Sequence, residues 1–551
     1  MTRPSDTGAA AASPASSGPP VTSGPSRGTA GRLAGAAALI SILTILARLA
    51  GFGRTTVFLY TVGNGEVDGG LASLYLAANL IPNIVFELAA GGALASLVVP
   101  LLAGAVATGD RDRADRITSA LLTWVLVLTV PLTVVLLLVA GPVAGLLGDV
   151  PPDQQEVAAR MLRIFAPQLP LYGIGIVLTG VLQAHHRFAW PVIAPLLSSL
   201  TVMTAYLTYA GIDGARSGFA GLSRAGELTL SVGTTLGVVA LSLCLVIPVS
   251  RLGLRLRPSF RFPGEEGRQA VRLGWAGAVT VGAQQVVAAL IVGLAALQMT
   301  PYSTAQTLFL LPWAVLAVPL ATAVYPRLSA AVARGDEEGY ATSLAGTARS
   351  VVLLAGLGIA ALAGLAVPMT ALMGAPNAAP GVLGFAPGLL GYALFALLSR
   401  ALYARGATVA AAVASAVGWL TAAAVVIVVT TAPVPGGEVF GLGLANTIGM
   451  TVTGLLLVLA VRRTAGPSAL AGLSRALITA VVAAAAAGAA GWGAVAGLRS
   501  AFWPTPGVLG SLVEGMLGGV AVAVVFLAVA FVLDRRDLGP PAAALAGRLR
   551  R

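Results

Sequence analysis

Residues 100–110 read PLLAGAVATGD and residues 326–336 read PRLSAAVARGD, with seven of the eleven positions identical at an offset of 226. A second pair sits at an offset of 220: APQLPLYGIGIVLTGVLQA from Ala166 and APGLLGYALFALLSRALYA from Ala386. There the alanine–proline start, Tyr172 with Tyr392, and Ala184 with Ala404 coincide. Helices rich in alanine and leucine match easily by chance, so neither pair decides alone. Together they share nearly one offset, and each relates an apolar run to the sixth run after it. A repeat of that length governs the reading of every single element.

The composition says where such runs reside. Of 551 residues 57% are hydrophobic and 10% charged, with mean hydropathy +0.90, whereas a soluble chain carries about a quarter charged residues. The surplus apolar surface must face lipid or another helix. Spanning a bilayer takes roughly 20 apolar residues, and fourteen runs qualify: about 34–62, 70–106, 117–147, 157–184, 188–211, 228–250, 271–298, 303–331, 346–373, 381–404, 408–432, 438–461, 473–497 and 508–533. Six helices is an even number, so the repeated copies share orientation. The expected architecture is an all-α polytopic membrane protein of about fourteen helices, with two six-helix lobes in parallel repeat and two carboxy-terminal helices outside it. The expected divisions are a disordered tail 1–31, rich in Ser, Pro, Gly and Ala, an N-lobe 32–262, a C-lobe 263–465, the added helices 466–535 and a tail 536–551.

Charge tests the count. All 33 basic residues are arginine, and the net charge is +12. The arginines sit mostly in short loops, where they orient helices, and not in the dense soluble patch that nucleic acid needs. With the amino terminus in the cytoplasm, the cytoplasmic loops hold Arg111, Arg113 and Arg116, then Arg187, then Arg251 to Arg272, then Arg327, Arg334 and Arg349, then Arg405, then Arg462, Arg463 and Arg475. The opposite loops carry Glu66, Asp68, Asp153, Glu156, Asn377 and Glu438, with Arg216, Arg224 and Arg499 as exceptions. A miscount by one helix would scramble this alternation, so both termini are expected inside. One cysteine, Cys244, permits no intrachain disulfide, and adjacent His185 and His186 without further ligands make a poor metal site.

No Walker loop, H-E-x-x-H, paired-cysteine motif or Ser/His/Asp set is present, so the expectation is a transporter and not an enzyme, with no cofactor. Energy would come from a coupling ion, the membrane potential or a partner. The candidate site consists of intramembrane polar groups, which are costly to hold there. Arg48 and Arg54 flank Gly51 and Gly53 in the first run; on a regular helix they stand about 9 Å and about 120° apart. An arginine pair suits a phosphate or pyrophosphate, because the guanidinium fork donates two hydrogen bonds. The competing reading pairs Arg54 with Glu87 as packing. The second run holds Asn79, Pro82, Asn83 and Glu87, with Asn83 and Glu87 on one face and Pro82 expected to kink the helix. Glu87 suits a coupling cation or proton, or an arginine of the first run. Gln284, Gln285, Gln306 and Arg400 are further cavity or coupling candidates, although Arg400 sits where it can snorkel.

At these residues the sequence resembles the MurJ/MviN family of the multidrug/oligosaccharidyl-lipid/polysaccharide exporter superfamily, and its second-helix segment is most similar to the actinobacterial branch. The resemblance is carried by ARLAGFGR at 47–54, ANLIPNIVFELAAGGALASLVVPLL at 78–102, APQLPLYG at 166–173, AQTLFLLPWAVLAVPLATAVYPRLS at 305–329 and LSRALYARG at 398–406. It implies a flippase for lipid II, the undecaprenyl-pyrophosphate-linked peptidoglycan precursor, working by alternating access of two lobes in the bacterial inner membrane. It implies also that helices thirteen and fourteen form a groove for the lipid tail, and that Arg48 and Arg54 match the family's first-helix cavity arginines. Other positions depart from it: an acidic residue falls at Ser73, a basic one at Glu87, a Glu-Gly at Gly91-Gly92, and charged pairs of helix eight at apolar residues and Gln306-Thr307. A polysaccharide-lipid flippase or cation-coupled drug exporter on the same fold is the alternative. A non-transporting scaffold that docks cell-wall synthesis proteins on the arginine-rich loop 251–272 is the third reading.

Overall fold

The computed structural model describes residues 27–66, 69–148, 150–262, 266–502 and 507–534. The expected tail 536–551 and residues 1–26 of the expected amino-terminal tail lie outside them. Among the described residues the secondary structure is helical throughout, beginning with Arg27–Thr61. Residues 27–31, expected in the tail, are therefore helical. No proline follows Pro25 before Thr61, so nothing in the chain stops the helix from extending outward.

A helix stands at each of the fourteen expected runs. Among the described residues twelve helices are long and apolar enough to cross a membrane, or thirteen if the bent pair Pro376–Phe385 and Gly388–Ala404, at 55°, is one span. Glu266–Leu294 is helical, and among the described residues Ala278–Leu294 is a short apolar helix within it.

The stop-and-start between helices explains why PLLAGAVATGD recurs. Gly109 has φ +70° and Gly335 φ +68°, the left-handed conformation that ends a helix and favours glycine. The next N–H, of Asp110 or Asp336, donates back to Ala105 or Ala331 at 2.9 Å. Each aspartate then caps the following helix, accepting from the Arg113 N–H at 2.9 Å and from the Gly339 N–H at 2.7 Å. One Gly-Asp dipeptide thus closes one helix and opens the next.

Other features recur at the same spacing. A π turn, one wide turn set into an α-helix, occurs at Glu87–Gly91 and again at Trp313–Ala317. Tyr75 packs on Phe165 at 5.8 Å between ring centres, and Tyr302 on Phe385 at 5.4 Å. Phe86 meets Tyr172 at 5.8 Å, and Trp313 meets Tyr392 at 4.8 Å. Arg27–Thr61 packs along Ala189–Asp213, as Glu266–Leu294 packs along Thr408–Thr431. The irregularity expected at Pro82 lies one turn further on, in the π turn, while Pro82 stays buried inside Leu71–Phe86.

The last two helices, Leu473–Ala501 and Val508–Leu533, pack on each other and on Glu337–Leu372. Small residues let these backbones approach: a Cβ on Gly364 would stand 3.1 Å from the Gly488 carbonyl oxygen. Both ends of the pair are clamped by a buried carboxylate. Arg475 meets Asp534 at 2.8 Å, and Arg499 meets Glu514 at 3.0 Å, with both carboxylate side chains fully buried. Removing one member of such a pair strands the other. Glu514→Ala is expected to loosen this end by about 3 kcal/mol, measured as faster amide exchange over 490–515 while exchange in 111–138 is unchanged.

Candidate functional site

Where Arg27–Thr61 and Leu71–Phe86 meet the helix Met299–Pro312, a cavity of about 410 Å³ opens, lined by Arg54, Asn79, Asn83, Tyr206, Thr304 and Gln306 among others. Asn79 and Asn83 are one helical turn apart and share a face. The wall behind Phe58 is polar but closed on itself: Tyr75 is fully buried and its hydroxyl pairs with the hydroxyls of Tyr206, at 3.1 Å, and Thr234. The other lining groups are not closed. Asn79 Oδ1 and Thr304 Oγ1 are buried with no hydrogen-bond partner, and Thr304 is 1% exposed. Half-buried Arg54 has neither an ion pair nor a hydrogen bond among the described residues. A permanent cation between membrane helices requires an anion or water, and the cavity leaves Arg54 open to either.

A second chamber of about 380 Å³ continues from the first, sharing Asn83, Tyr172 and Leu241 with it. It is lined by Glu87, Thr179 and Gln183 against largely apolar walls. The Tyr172 hydroxyl between the chambers donates to Gln168 Oε1 at 2.8 Å.

The sequence candidates separate clearly. Arg54, Asn79, Asn83 and Gln306 come together in the first chamber, and Glu87 lines the second. Arg48 lies exposed on its helix and lines neither chamber. The helix Arg27–Thr61 runs unbroken through Gly51 and Gly53, so the two arginines keep different faces. Arg54 and Glu87 form no ion pair, which removes the packing reading of that couple. Gln284 is exposed, Gln285 is buried, and both lie outside the chambers. Arg400 donates to the Ala396 carbonyl at 2.6 Å on its own helix.

Residues that the sequence reading passed over close the other end. Arg216 donates to the Leu59 carbonyl at 3.1 Å and the Gly374 carbonyl at 3.3 Å, while its guanidinium lies 5.3 Å from the Tyr60 ring centre. Tyr60 donates to the Leu372 carbonyl at 3.0 Å. Asn64 donates to the Gly374 carbonyl at 3.4 Å, and Asn377 donates to the Asn64 carbonyl at 3.1 Å. Buried Ser73 meets Thr300 at 3.0 Å between hydroxyls. These contacts clasp the amino-terminal half to the carboxy-terminal half at the end bearing the arginine-poor loops. The signal was present: Arg216 broke the charge alternation, and Ser73 stood where the resemblance called for an acid. The other exceptions are also spent on structure, Arg224 on buried Glu227 and Arg499 on Glu514.

The family model for the lipid II flippase MurJ matches residues 68–518. The chain belongs to the MurJ family. Among its relatives, a protein of Synechocystis sp. described as a probable lipid II flippase MurJ is 30% identical over 246 residues, 44% of this chain and 45% of that one. The lipid II flippase MurJ of Burkholderia cenocepacia is 26% identical over 350 residues, covering 61% of this chain and 64% of its own length. The chain spans about half the length of the curated relatives it matches first. A solved structure of lipid II flippase MurJ in an inward closed conformation shares the fold, with TM-score 0.70 and 16% identity over 91% of this chain and 99% of that one. A multidrug resistance MATE family transporter of the MOP superfamily, inward-facing, follows at TM-score 0.59 and 16% identity, over 77% and 95%. The chain is thus a membrane protein of a transporter family.

The clasp gives a direct test. In a Cys244→Ser background, Ser73→Cys with Thr300→Cys brings two thiols into disulfide range. Oxidation is expected to join the halves, seen as an altered gel mobility after proteolysis between them, with reduction reversing it. No crosslink under oxidation would show that these positions do not meet.

Proposed function

We propose that this chain is a lipid II flippase, carrying the undecaprenyl-pyrophosphate-linked precursor from the cytoplasmic to the outer leaflet by alternating access of two lobes. The observation that carries the reading is Arg54: a guanidinium without a partner, beside unpartnered Asn79 and Thr304, at the junction of the halves in a MurJ-family chain. Such a fork suits a pyrophosphate, and Asn83 and Gln306 add neutral donors and acceptors. The lobes are residues 32–262 and 263–465, and residues 466–535 supply the groove for the lipid tail. In this reading the chain lies in the inner membrane of a bacterium with both termini in the cytoplasm, which the arginine-rich loops support. The Ser73–Thr300 and Arg216–Gly374 clasp then closes the outer side, so that the cavity receives its cargo from the inside. A coupling ion or the membrane potential drives the cycle, and cell-wall synthesis proteins are partners that would take up the product.

The test is complementation of a flippase-depleted strain, with lipid II accessibility measured in each leaflet. Arg54→Ala is expected to lower transport by about 10- to 100-fold, the loss of charge-assisted hydrogen bonds to phosphate. Arg54→Lys retains part of it, and Arg48→Ala stays close to the unsubstituted protein. Full complementation by Arg54→Ala at normal membrane abundance would overturn the assignment of the site. Unchanged outer-leaflet lipid II after depletion of the protein would overturn the flippase reading itself.

A further inference from the structure

The second chamber has the opposite polarity to the first. Glu87 is its one charged lining residue, and it has no hydrogen bond or ion pair among the described residues. The same holds for the side chains of Asn83, Thr179 and Gln183 around it. The carboxylate is positioned by the backbone. The π turn begins at Glu87, and a Cβ on Gly91 would collide with Glu87 Oε2, so glycine there leaves the carboxylate its place. Asn79 and Glu87 are eight residues apart, about 12 Å along a helix. The two adjoining chambers therefore present an unpaired guanidinium in one and an unpaired carboxyl group in the other. These two charges do not neutralise each other, and each is left for an occupant.

We infer that the Glu87 chamber is an ammonium subsite, taking a protonated primary amine of the cargo while Arg54 holds its phosphates. This deepens the lipid II reading and rests on it. The chamber offers the carboxylate, the amide oxygens of Asn83 and Gln183, and the Thr179 hydroxyl, which match the three N–H donors of an ammonium. Ca²⁺ or Mg²⁺ would require six or more oxygen ligands, waters included, and the remaining wall is apolar, with Phe86, Leu94, Val98 and Ile176. Three to four extended peptide residues cover about 12 Å, the span from Asn79 in the Arg54 chamber to Glu87, so phosphates held in the first chamber leave the diamino-acid side chain of a stem peptide within reach of the second. The subsite makes the charge pattern of the head group, and not the phosphates alone, the basis of selection.

The experiment measures binding of lipid II with its stem-peptide amine free or N-acetylated to the purified full chain. Expected is about tenfold tighter binding of the free amine. Glu87→Gln should bring the two within about twofold by weakening only the free form, and Arg54→Ala should weaken both forms alike. Equal affinity of the unsubstituted protein for the two forms would overturn the subsite and leave the flippase reading standing. Equal weakening of both forms by Glu87→Gln would also overturn it, assigning Glu87 to a coupling step or to packing. Binding of neither form by the unsubstituted protein would overturn the lipid II reading, and the subsite with it.

Discussion

A guanidinium keeps its charge in any surroundings a protein can build, and carrying one to the middle of a bilayer costs about 3 kcal/mol even when the helix can adjust around it. Most arginines of this chain avoid that cost in loops, and several others are consumed by carboxylates: Arg160 and Arg224 on Glu227, Arg499 on Glu514, Arg405 on Glu337. Arg54 is treated differently. It stands between helices beside Asn79 and Thr304, whose buried oxygens are equally unclaimed. The fold pairs those charges and leaves this one open at the junction of its halves. The cavity, the clasp that seals one end of it and the polar face of Leu71–Phe86 follow from keeping that charge solvated by something other than protein.

Among the described residues the clasp contains no ion pair, for a related reason. In the proposed alternating-access cycle a seal between the halves would form and break many times, and a buried ion pair would be costly to separate in a low dielectric. Here hydroxyls meet hydroxyls, as Ser73 does Thr300, and side-chain donors meet backbone carbonyls. Arg216 is the one charge involved. It donates to carbonyls and lies over the Tyr60 ring, so that no carboxylate is stranded when the halves part. Each contact is worth about 1 kcal/mol, strong enough in sum to hold a state and weak enough to leave it.

Hydropathy, arginine placement and two repeated segments made the helices legible, because a lipid solvent enforces length and composition on every span. Tyr172 and Tyr392, aligned in the sequence, each pack on an aromatic ring beside a π turn, Phe86 and Trp313. The limits of legibility are equally physical. Whether Arg48 and Arg54 share a face depended on the glycines between them, and a glycine permits a bend without requiring one; the helix runs on and Arg48 is left outside. Gln285 and Gln306 are alike as residues, and only the packing around them buries one and turns the other into the cavity. The Tyr75–Tyr206–Thr234 cluster and the clasp join residues more than a hundred positions apart, which no local pattern encodes.

The recurring π turn shows how one scaffold serves two purposes. In the amino-terminal half the turn begins at Glu87, with Asn83 four residues before it and Asn79 eight before. In the carboxy-terminal half the corresponding residues are Trp313, Phe309 and Ala305. The polar side chains of the first half front open chambers; the aromatic ones of the second fill the space, Phe309 stacking with Phe385 and Tyr392, and Trp313 with Tyr392. The wide turn is therefore not itself the binding device, since one copy carries a carboxylate and the other an indole. What it supplies is a local departure from helical spacing that swings the next side chain away from the stripe of its neighbours. In one half that freedom sets a charge at the edge of a cavity. In the other it seats a Trp ring against Tyr392 in an aromatic cluster, so the polar chamber lining is gathered on one side of a junction that the repeat would otherwise make symmetric.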